Sequence, residues 1–304
     1  MIKDRSVSSG ILDVVVYGFC LFVLVATVFP FLNILSTSLS GNKFVSTGDI
    51  TFYPKDVTFE AYERIMSNWL IPNAFKNSVV YTLVSTVYSA LITVTMAYPL
   101  TKKNFILKKP IWIMLVITMY FSGGMIPLFI LITKTRIFNT IWGQVLPCAI
   151  SIGNLILMRM FINTIPIELE ESAFLDGANE AQILFKIILP LSKAGIATTT
   201  LYYAVWKWND FFNPLLYFKD YDKYPLTVIL RDIVIQGSQL KKFNTAVKGT
   251  PAMRQMAEKS AYAAAYDARL KYGTLMVSML PIIAVYPILQ KYFIKGLMVG
   301  SVKG

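Results

Sequence analysis

The chain has 304 residues, of which 55% are hydrophobic and only 15% charged, and its formal net charge is +12. A composition this apolar excludes an ordinary soluble protein and predicts one integral membrane domain over residues 1–304. Histidine is absent from the sequence, which excludes a Ser-His-Asp triad and a histidine-ligated zinc, and we expect no metal site. The lysine- and arginine-rich loops of a membrane protein account for the positive charge, so we expect no nucleic-acid partner.

Two long apolar runs predict the first membrane-spanning helices, over residues 11–39 and 78–100. The first run is long enough to cross a bilayer, and a signal peptide would have a shorter core and a small-residue cleavage site, so we interpret it as an uncleaved helix. Between the two runs, residues 59–66 could form a short surface helix. Four lysines within residues 102–109 follow the second run, and such a cluster indicates the cytoplasmic side of the membrane.

The third and fourth spans are predicted over residues 111–133 and 141–162. The third contains Gly123 and Gly124 shortly before Pro127, and these residues should break the helix near mid-membrane. Irregular backbone at that depth is tolerated only against protein or beside a water-filled path. Gly123 and Gly124 are therefore candidates for lining a substrate path, and a simple packing kink is the alternative.

A charged island, residues 164–193, follows the fourth span and predicts an amphipathic helix–turn–helix at a membrane surface. Its first helix opens with acidic residues, which suit a helix N-terminus, and an Asp-Gly turn at Gly177 ends that helix. Asn179 and Gln182 have the spacing of a capping box that opens the second helix. The second helix should stop at Pro190. The alternative is an amphipathic loop that only rests on lipid headgroups.

The fifth span, residues 194–218, carries the most polar side chains that we predict within the membrane. Its candidates for a substrate path are Tyr202, Trp206, Asn209 and Asp210. Aromatic rings stack on sugar faces, and amide and carboxylate oxygens accept hydrogen bonds from hydroxyl groups. A straight helix would place Asp210 roughly 25 Å beyond the start of the span, which favours an aromatic belt at the outer interface unless the helix is broken.

Residues 219–273 are predicted to lie outside the cytoplasm, with an alanine-rich helix over residues 257–270, and residues 275–293 form the last span. Six spans place both termini in the cytoplasm. Cations outnumber acids in the segments predicted outside, so the outer surface would attract an anionic substrate or an acidic binding protein. Ordinary solvated charge is the alternative, and it is the explanation that we favour.

Two motifs carry a resemblance to a known family. The first is Glu-Ser-Ala-x-x-Asp-Gly-Ala over residues 171–178, followed by Ile-Leu-Pro ending at Pro190; it resembles the EAA loop of binding-protein-dependent ABC importer permeases. The second is the tail from residue 290 to residue 304, which is similar to the tail of maltose-permease-like subunits. The resemblance covers essentially the whole chain. It implies an all-α integral membrane protein with the type I ABC importer permease fold, six transmembrane helices and both termini cytoplasmic.

In that family the loop is the coupling helix, which docks into a cleft of the cytoplasmic ATPase, and the tail reaches between the ATPase subunits. The resemblance therefore implies ATPase contacts for these loop residues: Glu171, Ser172, Ala173, Asp176, Gly177, Ala178, Phe185 and Pro190. It implies the same for these tail residues: Gly300, Ser301 and Lys303. No Walker A motif occurs in the sequence. We therefore expect a permease subunit that is not itself an enzyme and binds no cofactor, with ATP and Mg²⁺ held by the partner ATPase subunits.

The resemblance also implies carbohydrate uptake, in the branch that imports complex or acidic oligosaccharides such as alginate. It implies a multi-pass protein of the bacterial cytoplasmic (inner) membrane, surrounded by lipid, with three kinds of protein partner. These are a homologous second permease, an ABC ATPase dimer and an extracytoplasmic solute-binding protein. An ion-coupled secondary transporter is the main alternative, and Asp210 is the intramembrane acid that we consider for it. A membrane enzyme is disfavoured by the missing histidines and by the lack of clustered carboxylates in the spans.

Overall fold

The computed structural model describes residues 7–67, 69–235, 268–285 and 287, and their regular secondary structure is helical throughout, which confirms the all-α prediction for these residues. The first seven helices are α1 (Val7–Ser38), α2 (Asn42–Thr47), α3 (Glu60–Ser67), α4 (Leu70–Thr101), α5 (Lys108–Tyr120), α6 (Met125–Lys134) and α7 (Ile141–Val145). The next seven are α8 (Ile152–Ile162), α9 (Glu168–Leu175), α10 (Glu180–Leu191), α11 (Lys193–Trp208), α12 (Phe212–Tyr217), α13 (226–235) and α14 (Ala268–Val285). Short 3-10 turns follow α7 and α12, at Leu146–Cys148 and Tyr221–Lys223.

Three of the described helices are long and apolar enough to cross a bilayer: Gly10–Ser38 within α1, α4, and α14. Three bent pairs meet the same requirement together, namely α5 with α6, Ile141–Cys148 with α8, and α10 with α11, at angles of 118°, 59° and 81°. The described part of the chain therefore holds between three and six candidate spans. The total of six, the span boundaries and the side on which each terminus lies stay predictions.

The third predicted span is interrupted more sharply than a kink. Residues 111–133 contain the expected interruption at Gly123 and Gly124, and the structure places α5 before it and α6 after it. Gly124 has a φ of 86°, a conformation that residues other than glycine rarely adopt. Because the axes of α5 and α6 differ by 118°, this stretch is a broken span or a re-entrant loop.

The fourth predicted span, residues 141–162, is not a single helix. A break of 59° separates Ile141–Cys148 from α8, close to Pro147, which has no N–H to donate to a helix. The N–H of Ser151, at the start of α8, donates instead to the Tyr203 hydroxyl at 2.9 Å. Helix breaks within membrane proteins require such replacement partners for the freed backbone groups.

The second and fifth predicted spans also differ from the helices that contain them. In the fifth, residues 194–218, the helix is interrupted at residues 209–211 between α11 and α12. In the second, α4 begins at Leu70, well before the predicted start at residue 78. Pro72 falls in the first turn of α4, where a missing N–H is tolerated. Beyond residue 235, only 268–285 and 287 are described, so most of the predicted helix over 257–270, the end of the last predicted span and the tail lie outside the described residues.

By its described residues, the chain divides into two compact units, the first within Met1–Pro72 and Leu230–Met279 and the second within Asn73–Ile229 and Leu280–Gly304. In the first unit, the surface helix predicted near residue 60 is confirmed as α3. Its Ile65 side chain is buried against Gly273 of α14, where an added Cβ would lie 2.8 Å from Ile65 Cδ1. This close approach explains why a small residue stands at position 273.

The second unit is built around a core to which α4, α5, α8 and α10 contribute. Its buried members are Val94, Ala97, Tyr98, Leu100, Leu115, Leu155, Met158, Ile162, Ile183, Leu184 and Ile188. Beside this core, α8 and α11 pack so closely that a Cβ on Gly195 would lie 2.6 Å from the Cβ of Phe161. The charged island joins α8 to α11, so both of its ends are held by this close packing.

Candidate functional site

The charged island folds as the helix–turn–helix that its sequence predicts. α9 ends in a Schellman motif, in which the Gly177 N–H donates to the Phe174 carbonyl at 3.0 Å and the Ala178 N–H donates to the Ala173 carbonyl at 2.9 Å. Gly177 has a φ of 83°, which glycine adopts without strain. The predicted Asp-Gly turn is therefore confirmed. We refer to α9, this turn and α10 as the 168–191 hairpin.

A capping box opens the second helix of the hairpin, as predicted. The Gln182 N–H donates to Asn179 Oδ1 at 2.8 Å, and the Asn179 N–H donates to Gln182 Oε1 at 2.9 Å. The helix then passes through a π-helical turn, Leu184–Ile188, and ends at Leu191, one residue later than predicted. After the π-helical turn a new α-helical turn begins, and Pro190 occupies one of its first positions, where a missing N–H is tolerated.

The 168–191 hairpin has one buried and one exposed apolar face. Ile183 and Ile188 are fully buried in the core of the second unit. Phe174, Leu175 and Phe185 remain exposed, Leu175 by 89% and Phe185 by 61%. Large apolar side chains left uncovered on a short polar element are typical of a surface that binds another protein or a membrane.

Most of the loop residues for which the resemblance implies ATPase contacts are exposed. The exposed ones are Glu171, Ser172, Asp176, Gly177, Phe185 and Pro190. Ala173 and Ala178 are half-buried and pack against the core, so they fix the hairpin to the second unit. The corresponding tail residues, Gly300, Ser301 and Lys303, lie outside the described residues.

Polar contacts that the sequence did not reveal fasten the hairpin to the end of α4. Lys102 forms an ion pair with Glu170 of α9 and a second one, at 3.5 Å, with Glu180 of α10. Its Nζ also lies 4.4 Å from the centroid of the Tyr98 ring, and the Tyr98 hydroxyl donates to Glu180 Oε2 at 2.6 Å. These groups border a cleft of about 980 Å³ between the end of α4 and the hairpin.

In the sequence, Lys102 is one of four clustered lysines that indicate membrane topology. No spacing rule connects it to Glu170, which stands 68 residues later. Only the folded chain shows that this lysine has a specific partner.

α11 presents three of the predicted path residues on one face. Tyr202, Trp206 and Asn209 follow one another at i, i+4 and i+7, and all three are exposed. Tyr203, on the opposite side, is buried, and its hydroxyl lies 2.7 Å from Thr93 Oγ1 of α4. The exposed face thus combines two aromatic rings with one amide.

Asp210 is separate from this face and forms the centre of a buried polar cluster at residues 209–211. Lys207 Nζ donates to Asp210 Oδ2 at 3.2 Å and to the Gln144 carbonyl at 2.9 Å, and the Lys207 and Asp210 side chains are only 2% and 5% exposed. The backbone N–H and side-chain amide of Asn213 donate to the two carboxylate oxygens. A buried ion pair is tolerated where such hydrogen bonds satisfy its remaining groups. These contacts give Asp210 a structural role in holding the break.

Gly123 and Gly124 lie on another element, the connection between α5 and α6. The residues around them, from Tyr120 to Met125, are exposed. This connection and the exposed face of α11 belong to different elements. The structure therefore shows two separate candidate stretches for a substrate path.

The opposite end of α4 is anchored to the 3-10 turn at residues 221–223. Asn73 Nδ2 and Asn77 Nδ2 both donate to the Asp222 carbonyl, at 2.6 and 2.7 Å. The Tyr81 hydroxyl donates to the Lys223 carbonyl at 3.0 Å. α4 therefore has specific polar partners at both ends.

The same 3-10 turn is joined to the connection between α6 and α7. Lys223 Nζ and Asn139 Nδ2 donate to Asp220 Oδ2 at 2.8 and 2.7 Å. These hydrogen bonds, chiefly the one from Lys223, hold the pKa of the Asp220 carboxyl below its ordinary value.

No family model matches this sequence. Similar proteins are nevertheless known. The polygalacturonan/rhamnogalacturonan transport system permease protein YtcP of Bacillus subtilis is 36% identical over 293 residues, which cover 96% of this chain and 98% of that protein. Protein LplC of Bacillus subtilis is 37% identical over 278 residues, which cover 91% of this chain and 90% of that protein. One solved structure, of a bacterial ABC transporter involved in the import of the acidic polysaccharide alginate, matches with a TM-score of 0.83 and 28% identity over 96% of this chain and 99% of that chain.

Proposed function

The chain belongs to the permease family of ABC importers of sugars and polysaccharides, and we propose that it moves uronate-containing oligosaccharides from a solute-binding protein into the cytoplasm. In this proposal the 168–191 hairpin is the coupling element that docks on an ATPase subunit. When ATP closes the ATPase dimer, the hairpins of the two permeases are drawn together and the spans turn as rigid bodies towards an outward-open state. Hydrolysis of the ATP resets the cycle.

The observation that carries the coupling role is the exposed apolar face of the hairpin. Phe174, Leu175 and Phe185 are uncovered although Ile183 and Ile188 of the same hairpin are fully buried. An amphipathic helix whose free apolar face enters a groove of its partner is a recurrent mode of protein recognition. The Schellman motif and the capping box fix the two helices relative to each other, so this face is presented ready for binding.

The proposed topology has six spans, with both termini and the hairpin in the cytoplasm. The lysine cluster at residues 102–109 indicates the cytoplasmic side by its charge. The ion pair of Lys102 with Glu170 supports the same side for the hairpin, because it joins the cluster to α9. The chain is a membrane protein by its family, and the bacterial inner membrane is its proposed location.

The partners in this proposal are a second permease of the same family, an ATPase dimer that binds ATP and Mg²⁺, and an extracytoplasmic solute-binding protein. The sequence contains no Walker A motif, which supports a permease that is not itself an enzyme. The tail, with Gly300, Ser301 and Lys303, is proposed as a second ATPase contact.

An acidic substrate is supported by what similar proteins import. The alginate transporter is named for an acidic polysaccharide, and polygalacturonan is a polymer of galacturonic acid. We assign the exposed α11 face, with Tyr202, Trp206 and Asn209, to the sugar path, because rings and an amide suit a polyhydroxylated ligand. The connection at Gly123 and Gly124 is the second proposed part of that path.

An ion-coupled secondary transporter is not favoured. The similar proteins are permeases of ABC systems. Asp210, the intramembrane acid that such a transporter would use, already has its charge paired with Lys207 and both carboxylate oxygens bound by Asn213.

Photo-crosslinking tests the docking surface. A photoreactive residue at Leu175 or Phe185 in the complete complex should give a covalent adduct with the ATPase subunit. The same residue at Tyr120, an exposed aromatic position at the end of α5, should give none and serves as the matched control. ATPase adducts absent from both hairpin positions would contradict the proposed docking.

Uptake by proteoliposomes tests the substrate class. With the complete complex and its solute-binding protein, labelled oligogalacturonate should accumulate when ATP is supplied inside, and a neutral malto-oligosaccharide should not. Accumulation of the neutral sugar alone would overturn the acidic substrate and leave the coupling role intact.

A further inference from the structure

We propose that Lys102 is a positioning residue that locks the 168–191 hairpin to α4, so that the hairpin and this helix move as one body during transport. The proposal rests on the coupling function proposed above and extends it to residues outside the EAA pattern. These residues are Tyr98, Lys102, Glu170 and Glu180, which we call the α4 latch.

The geometry of the latch places one cation between the two helices of the hairpin. Lys102 pairs with Glu170 of α9 and, at 3.5 Å, with Glu180 of α10. The Lys102 and Glu170 side chains are only 22% and 15% exposed, so water screens their attraction less than that of a surface pair. A single side chain of α4 therefore holds both helices.

Tyr98 completes the latch from within the core. Its side chain is buried, and its hydroxyl donates to Glu180 Oε2 at 2.6 Å. Its ring lies under Lys102 Nζ, with 4.4 Å between the nitrogen and the ring centroid, a distance at which a cation is attracted to an aromatic face. The ring restricts the lysine to the position from which it reaches both carboxylates.

The latch residues meet across a cleft that the packing of apolar side chains does not fill. The cleft of about 980 Å³ between the end of α4 and the hairpin is lined by all four latch residues. On the other side of the hairpin, Ile183 and Ile188 pack into the core. Ala173 of α9 also packs against the core, but the cleft separates the rest of α9 from the end of α4, and the pair of Lys102 with Glu170 joins them directly across it.

The helix that the latch engages is long enough to carry a displacement across the membrane. α4 has 32 residues, and a helix of that length measures roughly 48 Å. At its other end, Asn73, Asn77 and Tyr81 bind the backbone of residues 222 and 223. Because α4 is one continuous helix, a movement of the hairpin would reach the 3-10 turn at residues 221–223 through it.

The neighbouring lysines provide matched controls because they make different contacts. Lys108 Nζ donates to the carbonyls of Thr101 and Lys102, at 3.3 and 2.9 Å, and so caps the end of α4. Lys103 borders the same cleft and, within the described residues, forms no ion pair. A Lys103→Met variant therefore removes an equal charge from the same place without touching the latch.

The test compares ATP hydrolysed per sugar imported by the complete complex in proteoliposomes, with labelled oligogalacturonate as the probe. Lys102→Met should raise this ratio about tenfold, a size typical of coupling between linked sites, with ATP hydrolysis itself maintained. Tyr98→Phe, which loses only the donor to Glu180, should raise it less. Lys102→Arg, which keeps the charge, and Lys103→Met should both resemble the unmodified protein.

A charge exchange shows whether Lys102 positions the hairpin or only contributes to folding. Lys102→Glu should raise the ratio, and the double variant with Glu170→Lys should restore it towards the original value, because the ion pair is rebuilt with reversed sign. An unchanged ratio in Lys102→Met would overturn the latch. If Lys102→Met does not assemble, the charge exchange is the test. A double variant whose ratio of ATP to sugar is no lower than that of Lys102→Glu would also overturn the latch.

The failure of the latch can be told from the failure of the coupling role itself. Gly177→Pro disrupts the turn of the hairpin without touching a latch residue. If Gly177→Pro raises the ratio and Lys102→Met does not, the hairpin couples and the latch is wrong. If Gly177→Pro leaves the ratio unchanged, the coupling role is wrong as well.

Discussion

The 168–191 hairpin and the break at residues 209–211 are both places where helices of the second unit stop and change direction, but different contacts hold them. The turn of the hairpin is stabilised by hydrogen bonds between residues no more than five positions apart, such as that from the Ala178 N–H to the Ala173 carbonyl. The break has local contacts of Asp210 with Lys207 and Asn213, but it also needs distant partners. The Gln144 carbonyl accepts from Lys207, and Thr227 Oγ1 donates to the Asp210 carbonyl at 3.0 Å. An element folded by local contacts keeps its shape when it moves, whereas one held by distant partners is fixed within its unit.

The two regions also expose different chemistry. The hairpin leaves Leu175 and Phe185 uncovered, and an interface can bury them. The break hides its charged residues, Lys207 and Asp210, and satisfies them with hydrogen bonds inside the unit. We infer that the hairpin binds a partner and that the break makes the second unit rigid. Changes in the break should therefore lower stability without altering coupling, and changes in the hairpin should do the reverse.

The largest expected effect is on stability and follows from Lys207→Met. Removing the cation leaves the Asp210 carboxylate buried without its opposite charge, which costs about 3–5 kcal/mol of unfolding free energy. Thermal unfolding of the purified protein in detergent measures the loss. For the fraction that remains folded, the ATP hydrolysed per sugar imported should be unchanged.

The double variant Lys207→Met with Asp210→Leu is the control for this prediction. It replaces both charges by apolar groups of similar size, so most of the lost stability should return. A double variant no more stable than Lys207→Met would show that the ion pair is not what holds the break.

A smaller effect is expected from Trp206→Ala on the exposed face of α11, which leads into the break. Loss of one aromatic stacking partner should lower the rate of oligogalacturonate uptake about two- to tenfold at limiting substrate. The number of ATP molecules hydrolysed per sugar imported should not change, because Trp206 is not part of the hairpin. Phe22→Ala removes an exposed ring from α1, which belongs to neither proposed stretch of the path, and should leave uptake unaltered; equal losses in both variants would exclude a specific path at α11.

The smallest effect concerns Asp220, at the opposite end of α4 from the hairpin. Its pKa is held below the ordinary value of 3.8 by the hydrogen bonds from Lys223 and Asn139. A carboxyl whose folded pKa is lowered stabilises the fold above its unfolded pKa, and this contribution disappears as the pH falls through the lower, folded value. The unfolding temperature of the wild type should therefore slightly exceed that of Asp220→Asn at neutral pH, and the difference should shrink in acid as the pH falls through the folded pKa of the Asp220 carboxyl. A difference that persists in acid would show that the hydrogen bonds of Asp220 do not depend on its charge.

The contrast between the hairpin and the break also explains what the sequence could and could not predict. The turn at Gly177 and the capping box of Asn179 with Gln182 involve residues that are close together in the chain, so their spacing predicts the contacts that the structure contains. The all-α fold follows in the same way from long apolar runs. The exposed faces of the hairpin and of α11 follow from helical periodicity once the helices are placed.

The breaks at residues 149–151 and 209–211 could not be predicted in the same way, unlike the one at Gly123 and Gly124. At the break over residues 149–151, which follows Pro147, the Ser151 N–H donates to the hydroxyl of Tyr203, a residue far along the chain. The sequence left open whether the fifth span is broken, because the break at residues 209–211 is stabilised by Gln144 and Thr227, which lie far from it in the chain. The pair of Lys102 with Glu170 is another case, because any of four clustered lysines fits the charge pattern equally well.

The most direct test of the account is the number of ATP molecules hydrolysed per sugar imported by Gly177→Pro, compared with Gly177→Asn. Proline cannot adopt the φ of 83° and removes the N–H that binds Phe174, so it disrupts the geometry of this turn. Asparagine tolerates that conformation and keeps the N–H. We predict that both variants assemble, that Gly177→Pro hydrolyses ATP with little import, and that Gly177→Asn keeps nearly the original ratio. Normal import by an assembled Gly177→Pro complex would contradict the assignment of the 168–191 hairpin as the coupling element.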